Sequence, residues 1–411
     1  MARFSLWILL LCVGLLCLGH GLSGSLVSLR ANAADFGTDV TGFVMSGYSA
    51  GLLISTFLTP RLVRDVGHVR AFAGLASIVS TAVLLFPLWV NPLFWFLMRL
   101  VTGLCISGLF IVCESWLSAA SSNRNRGQML SFYMIVTYGA LGIGQLLLNV
   151  SDESGFVRFI IVSALVSMSL VPLILLPSEA PSTEGARPVS VNEIWQASPL
   201  AVVGVLACGL AQSAFFALGA VFGLAKGLPL VYVSIMMAMP PLGVILSQYP
   251  IGWISDRFDR RTIIMLLAAI SVVVAGITMA GGYYLTRVML ISLVTIFGVV
   301  SLPIYSLVIA HANDHLQREQ ILGASARLVL LYGVGSLIGP ILVGYIMRRV
   351  GGDGFLIHMM VVYAALAGFA FWRGIRRPEN LKADSSEIMK VSPVLTPTGA
   401  SNLAEEGTPQ Q

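Results

Sequence analysis

Charge is scarce in this sequence. Asp, Glu, Lys and Arg make up 10% of the 411 residues, against about 25% in soluble globular domains, and the mean hydropathy is +0.88. So few charges cannot cover a water-facing surface, so a soluble globular fold is excluded. Acids are rarest where they would matter most. No Asp or Glu falls in the middle of a long apolar run: Asp35, Asp39, Asp152, Glu153 and Asp353 lie in connections, and Glu114 at an edge. A mid-membrane carboxylate relay is therefore not expected. The five cysteines, Cys12, Cys17, Cys105, Cys113 and Cys208, fall inside apolar runs without metal-ligand spacing, which excludes a disulfide framework. A phosphate loop of the Walker type is missing, so ATP does not drive the protein directly. His311 and His315 flank Asp314, but a helix-borne zinc protease needs Glu after the first His. No enzyme, metal or cofactor is expected.

Long apolar runs are what the chain has instead, for example TIIMLLAAISVVVAGITMAGG and VMLISLVTIFGVVSLPIYSLVIA. Each is close to the ~20 residues that cross ~30 Å of hydrocarbon as a helix. They lack the period-2 alternation of barrel strands. Hydropathy predicts about twelve spans. Arg3 followed by LWILLLCVGLLCLGHG, with Ala31-Asn32-Ala33 after it, is similar to a secretory signal. The apolar stretch from Ser5 to Leu29 exceeds a signal's core, so it reads as the first span. The reading divides the chain into a six-helix half over 1–177, a Pro/Ser-rich linker over 178–198, a second half over 199–377 and a disordered tail over 378–411. Lys and Arg concentrate on the side bearing both termini, which puts that side in the cytoplasm of a bacterial inner membrane. Arg348 and Arg349 fall on the other side in this scheme. The basic residues are scattered over short loops, so the +5 charge does not indicate nucleic acid.

The halves echo each other. Span two runs into PRLVRDVGHVR and span eight into GWISDRFDRR; Tyr138-Gly139 in span five matches Tyr332-Gly333 in span eleven. A parallel repeat of six helices is the signature of one kind of transporter, whose halves rock about a site between them.

These residues resemble the major facilitator superfamily, and within it the YcaD-like branch of bacterial transporters. Gly252-x-x-x-Asp256-Arg257-x-x-Arg260-Arg261 resembles the superfamily's loop motif, with Asp259 where a Gly is common. The first-half loop keeps Gly67 and Arg70 but has Pro60 for the first Gly, Arg64 for the acid and Asp65 for the Arg. Arg99-Leu-Val-Thr-Gly103 resembles the fourth-helix Arg motif. Glu114-Ser115-Trp116-Leu117 and His311-Ala312-Asn313-Asp314 resemble signatures of the branch, at the inner ends of spans four and ten. The resemblance implies an all-α polytopic fold in which helices one, four, seven and ten meet around the solute.

Arg99 is the deepest charge, ~9 Å into span four by helical rise. Facing lipid it would cost at least ~2.5 kcal/mol, so it is expected to face the interior. A deep cation without a deep anion favours an anionic or neutral polar solute. His20, Gln145, Gln212, Ser213 and Tyr305 complete the expected pocket, with Phe215 and Phe216 giving it an apolar side. If protons are coupled, their carriers are Glu114, His20, Asp35 or Asp39. Asp256 and Arg257 are expected to latch a cytoplasmic gate against the start of span five near Arg126-Gly127 and against Glu114. Arg64, Asp65, Asp314 and Arg327 are further gate charges, while Arg260 and Arg261 read as positive-inside anchors. Gly47-x-x-x-Gly51, Gly103, and Gly335-x-x-x-Gly339-Pro340 are expected to allow close helix crossing and a kink. The superfamily's antiporter signature, a Gly-Pro element in span five, is replaced here by GALGIGQ. The expected function is secondary-active transport of a small solute by a monomer in the lipid bilayer. The alternatives are efflux of amphipathic compounds and a non-transporting receptor or assembly partner.

Overall fold

A computed structural model describes residues 2–119, 126–150, 155–174 and 190–376. Among the described residues the chain is helical, without strands. The first half comprises α1 (Ala2–Ala33), α2 (Thr38–Val66), α3 (His68–Leu85), α4 (Pro92–Ala119), α5 (Arg126–Leu146) and α6 (Val157–Ile174). A short α7 (Val191–Ala197) precedes the second half: α8 (Pro199–Ala225), α9 (Leu230–Arg257), α10 (Arg260–Gly281), α11 (Arg287–Ser301), α12 (Ile304–Asn313), α13 (Arg318–Val350) and α14 (Asp353–Arg376). Among the described residues eleven stretches are long and apolar enough to cross a bilayer, α11 and α12 counting as one, and α6 adds a shorter apolar stretch, Val157–Pro172. Helices satisfy their own backbone polar groups, which hydrocarbon demands. Short connections return the chain each time, so one end of the bundle, here the terminal face, carries α7, the α2–α3 and α9–α10 turns and the end of α14. The opposite face carries the α1–α2, α8–α9 and α13–α14 turns.

The linker is not wholly irregular. Ser190 and Glu193 form a capping box that starts α7, and Ser198 with Pro199 starts α8. The rest of the linker, 178–189, and the tail, 378–411, lie outside the described residues. Span ten also departs from its hydropathy, which reads as one continuous helix. Pro303 breaks it into α11 and α12, because proline has no N–H for the Val299 carbonyl four residues earlier. Two side chains from neighbouring helices serve the carbonyls at the break. Ser247 Oγ on α9 donates to Val299 O at 3.2 Å, and Gln212 Nε2 on α8 donates to Leu302 O at 3.3 Å.

Glycines set how closely the helices cross within each half. A Cβ on Gly51 would strike the Leu100 carbonyl, one on Gly103 the Tyr48 carbonyl, and one on Gly47 would stand 2.5 Å from the Phe96 carbonyl, so α2 and α4 lie backbone to backbone. In the second half Gly335 and Gly339 press on the Leu206 and Leu210 carbonyls of α8, and Gly209 presses back on Tyr332 of α13.

Contact between the halves is concentrated toward the opposite face. Along α2 and α13, Gly42 faces the Pro340 carbonyl, Thr38 Oγ1 donates to Gly344 O at 2.9 Å, and Arg348 Nη1 donates to Asp39 Oδ1 at 2.8 Å. Along α5 and α9, Asn149 Nδ2 donates to Ser234 Oγ at 2.7 Å, and Gly142 packs on Ala238 and Leu242. The same helix faces continue toward the terminal face as Ile135 and Phe132 on α5 and as Tyr249 and Trp253 on α9. There they are exposed, Tyr249 at 76%. The halves therefore touch at one end and diverge at the other, which leaves the interior open to the terminal face.

The glycine crossings give a direct test. Gly103→Ala and Gly335→Ala should each lower stability by about 1–3 kcal/mol, because backbone has to move. Gly74→Ala and Gly368→Ala, whose Cβ would meet nothing within 4 Å, should leave it unchanged or raise it. Melting temperatures of the purified variants in one detergent check both expectations.

Candidate solute site between the halves

The two turns that carry the repeated charged motif are built by different means. After α2 the chain turns at Gly67, whose φ of 85° lies in the left-handed region that favours glycine. The matching position after α9 is Asp259, which instead caps α10: its Oδ1 accepts from the Arg261 N–H at 3.1 Å. This accounts for an Asp where the motif commonly has Gly. The residue after each turn then docks on the end of another helix of its own half. His68 Nε2 lies 3.0 Å from Ser115 Oγ, and its ring stacks on Trp116 at 5.5 Å, both on α4. Arg260 donates to Asp314 Oδ2 at 2.6 Å and to Ala310 O at 3.2 Å, at the end of α12. The two branch signatures, Glu114-Ser115-Trp116-Leu117 and His311-Ala312-Asn313-Asp314, are thus the docking points of repeat-related turns.

Arg260 also donates to Asp256 Oδ1 at 2.6 Å, so it ties α9, α10 and α12 together. It is the hub of this cluster, a role that reading it as a topological anchor missed. Arg257 lies over the Trp253 ring at 3.7 Å. Arg64 and Asp65 pair with each other at 3.8 Å on the surface. Arg327 is half-buried in the third turn of α13.

Glu114 lies near the terminal-face end of α4. The helix continues to Ala119, and Glu114 is only 7% exposed, the one carboxylate among the buried described residues. It accepts a hydrogen bond from Tyr133 of α5 at 3.1 Å, and it lies within electrostatic reach of Tyr305 in the other half.

The interior site starts from Arg99, the eighth residue of α4. It is 4% exposed, its Nε has no partner, and among the described residues no carboxylate reaches it. Its guanidinium lies 4.9 Å from the centre of the Tyr48 ring on α2. On that ring His20 of α1 stacks at 5.3 Å and 24°, with its own Nδ1 unpartnered, and Phe110 of α4 meets His20 edge-on at 6.2 Å. Three helices thus build a column of Arg99, Tyr48, His20 and Phe110.

From the second half, the Tyr332 hydroxyl of α13 donates to Gln212 Oε1 at 3.2 Å, and the Tyr305 ring of α12 meets Tyr332 at 4.9 Å and 63°. The repeat-related Tyr138 and Tyr332 lie within electrostatic reach of each other, and Tyr48 and Tyr332 likewise. The two halves therefore contribute rings to one space. Gln145 of α5 is buried with an unpartnered Oε1. Ser213 falls elsewhere: its hydroxyl donates to Gly209 O at 2.7 Å, on the side of α8 that Gly339 presses on. Sequence reasoning named Arg99, His20, Gln212 and Tyr305 but missed Tyr48. The available signal for the others was the repeat, which paired Tyr138 with Tyr332. A buried guanidinium without a carboxylate is costly, and its planar fork of donors matches a bidentate acceptor.

Known proteins share both the sequence pattern and the fold. Over 378 residues the chain is 27% identical to the "Uncharacterized MFS-type transporter YcaD" of Escherichia fergusonii, covering 91% of this chain and 97% of that one. A variant of the nucleoside transporter NupG superposes with a TM-score of 0.76 at 14% identity, covering 90% of this chain and 99% of that one. A bacterial homologue of the human lysosomal transporter Spinster, in an inward-facing and occupied conformation, gives 0.72 at 14% identity, covering 91% and 97%. The sequence model of this transporter family matches residues 9–320 and 200–400, and the chain belongs to the Major Facilitator Superfamily.

Proposed function

We propose that the protein is a secondary-active transporter of a small organic solute, anionic or neutral polar, that works by alternating access in the bacterial inner membrane. The observation that carries this reading is Arg99: 4% exposed, unpaired and held over Tyr48 where both halves contribute side chains. A bundle that needed only to fold would gain by replacing it with an apolar residue, since a lone buried charge is costly. A binding site gains from the same charge when an anion arrives. The concentration of Lys and Arg at the terminal face supports a cytoplasmic location for both termini, and the open interior then faces inward. Closing that side brings the Asp256–Arg260–Asp314 cluster toward the start of α5 and toward Glu114. Should protons be coupled to the cycle, Glu114 is the buried acid closest in position to the gate.

Two predictions follow from this reading. Arg99→Met should leave the melting temperature of the solute-free protein unchanged or higher, and Arg99→Gln should cut uptake of small organic anions into proteoliposomes on the order of 100-fold. A clear drop in melting temperature with uptake intact would assign Arg99 to structure and defeat the proposal. The second concerns the opposite face, where the Asp39–Arg348 pair bridges the halves with side chains 34% and 57% exposed. Such a pair is worth about 0.2–1 kcal/mol, enough to shift a two-state equilibrium by about 1.4- to 5-fold. Asp39→Asn should raise the reactivity of a cysteine placed at Tyr305 toward a membrane-impermeant reagent added on the opposite face. The double variant with Asp39→Arg and Arg348→Asp should restore the original reactivity.

A further inference from the structure

We propose, resting on the reading of Arg99 as the solute anchor, that the solute is a planar aromatic or heteroaromatic carboxylate.

The amide of Gln212 and the phenol hydrogen of Tyr332 are already engaged. Gln212 accepts from the Tyr332 hydroxyl through Oε1 and donates through Nε2 to the Leu302 carbonyl freed by the break before Pro303. Both ends of the amide are therefore held within the protein, as is the phenol hydrogen of Tyr332. What Tyr332 and Tyr305 still offer is ring surface, and both are half-buried although they stand inside the bundle.

The first half offers the same kind of surface with a charge at one end. Tyr48 and His20 are also half-buried, stacked at 24°, with the Arg99 guanidinium 4.9 Å from the centre of the Tyr48 ring. Ring faces carry negative electrostatic potential and ring edges positive, so a flat conjugated solute fits among them in stacked or edge-on geometry better than a saturated one. The guanidinium fork matches a carboxylate in the same plane.

The charge distribution narrows the class further. Glu114 is fifteen residues beyond Arg99 on α4, ~22 Å by helical rise. The carboxylate of a solute of one or two rings held at Arg99 therefore sits far from Glu114, whose field meets the space at Tyr305, and a simple cation is repelled at Arg99. One anionic group on a flat body fits this distribution.

The test uses the purified full chain and isothermal titration with benzoate, 2-naphthoate, cyclohexanecarboxylate, benzamide and benzylamine. Aryl carboxylates should bind about 5-fold or more tightly than cyclohexanecarboxylate, the increment expected from stacking, and benzamide and benzylamine should not bind measurably. Tyr48→Leu and Tyr332→Leu should remove that preference, whereas Tyr48→Phe and Tyr332→Phe should keep it, since the ring and not the hydroxyl carries it. The phenylalanine variants also separate loss of a ring from loss of the fold. If benzoate and cyclohexanecarboxylate bound equally, both depending on Arg99, the aromatic assignment would be overturned while anion transport stood. If no carboxylate bound in an Arg99-dependent way, both would fall.

Discussion

Hydrocarbon offers no hydrogen-bond partner, and this one constraint shapes the bundle. Each polar group inside it has to find a partner within the protein or be left at a cost. At the break in span ten the cost is met locally: Ser247 and Gln212 serve carbonyls of Val299 and Leu302 around a proline that cannot donate. Around the charged turns it is met by Arg260, which reaches two carboxylates and a backbone carbonyl. Arg99 stands apart, because its neighbours are aromatic faces and not acids. On the proposed function, this buried cation without an acid among the described residues is the place for a solute that comes and goes.

The repeat explains how such a place can face two sides in turn. Two repeat-related pairs of helices meet across the molecule, α2 with α13 and α9 with α5, and in both pairs close approach is at the opposite face, through Gly42 beside Pro340 and Gly142 beside Ala238 and Leu242. Within each half the crossings along α2–α4 and α8–α13 are also backbone on backbone. Two stiff halves joined along a seam can rock as bodies. His68 and Arg260 stiffen the corresponding corner of each half by pinning a turn to the end of α4 or α12.

Much of this was legible in the sequence, for physical reasons that also mark where legibility ends. Hydropathy reports span length well because the bilayer has one thickness, but it cannot register that Pro303 splits a run whose composition stays apolar throughout. Depth counted along the chain found Arg99. It placed Glu114 at the inner end of its span without registering that five further residues, Ser115 to Ala119, continue the helix past it. Tyr48 was passed over because a tyrosine in an apolar run counts as hydrophobic, and only its position beside Arg99 reveals it as a binding surface. The small-residue spacing in α2 and α13 announced close crossings without naming partners; Gly47 and Gly51 serve α4, while the unnoticed Gly42 meets the other half. Asp39 and Arg348 are 309 residues apart, and no local pattern links them. Arg348 looked misplaced as a topological charge, and its partner across the seam supplies the reason for its position.

The account's central claim is that one interior site is closed at one face while open at the other. Pulsed electron–electron distance measurements in nanodiscs test it most directly, with one label pair at Leu88 and Tyr284 on the opposite face and another at Val66 and Phe258 on the terminal face, all four exposed. Any condition that lengthens the first distance should shorten the second, with two populations exchanging in both. A single unchanging distance for each pair, or two distances that lengthen together, would contradict the account.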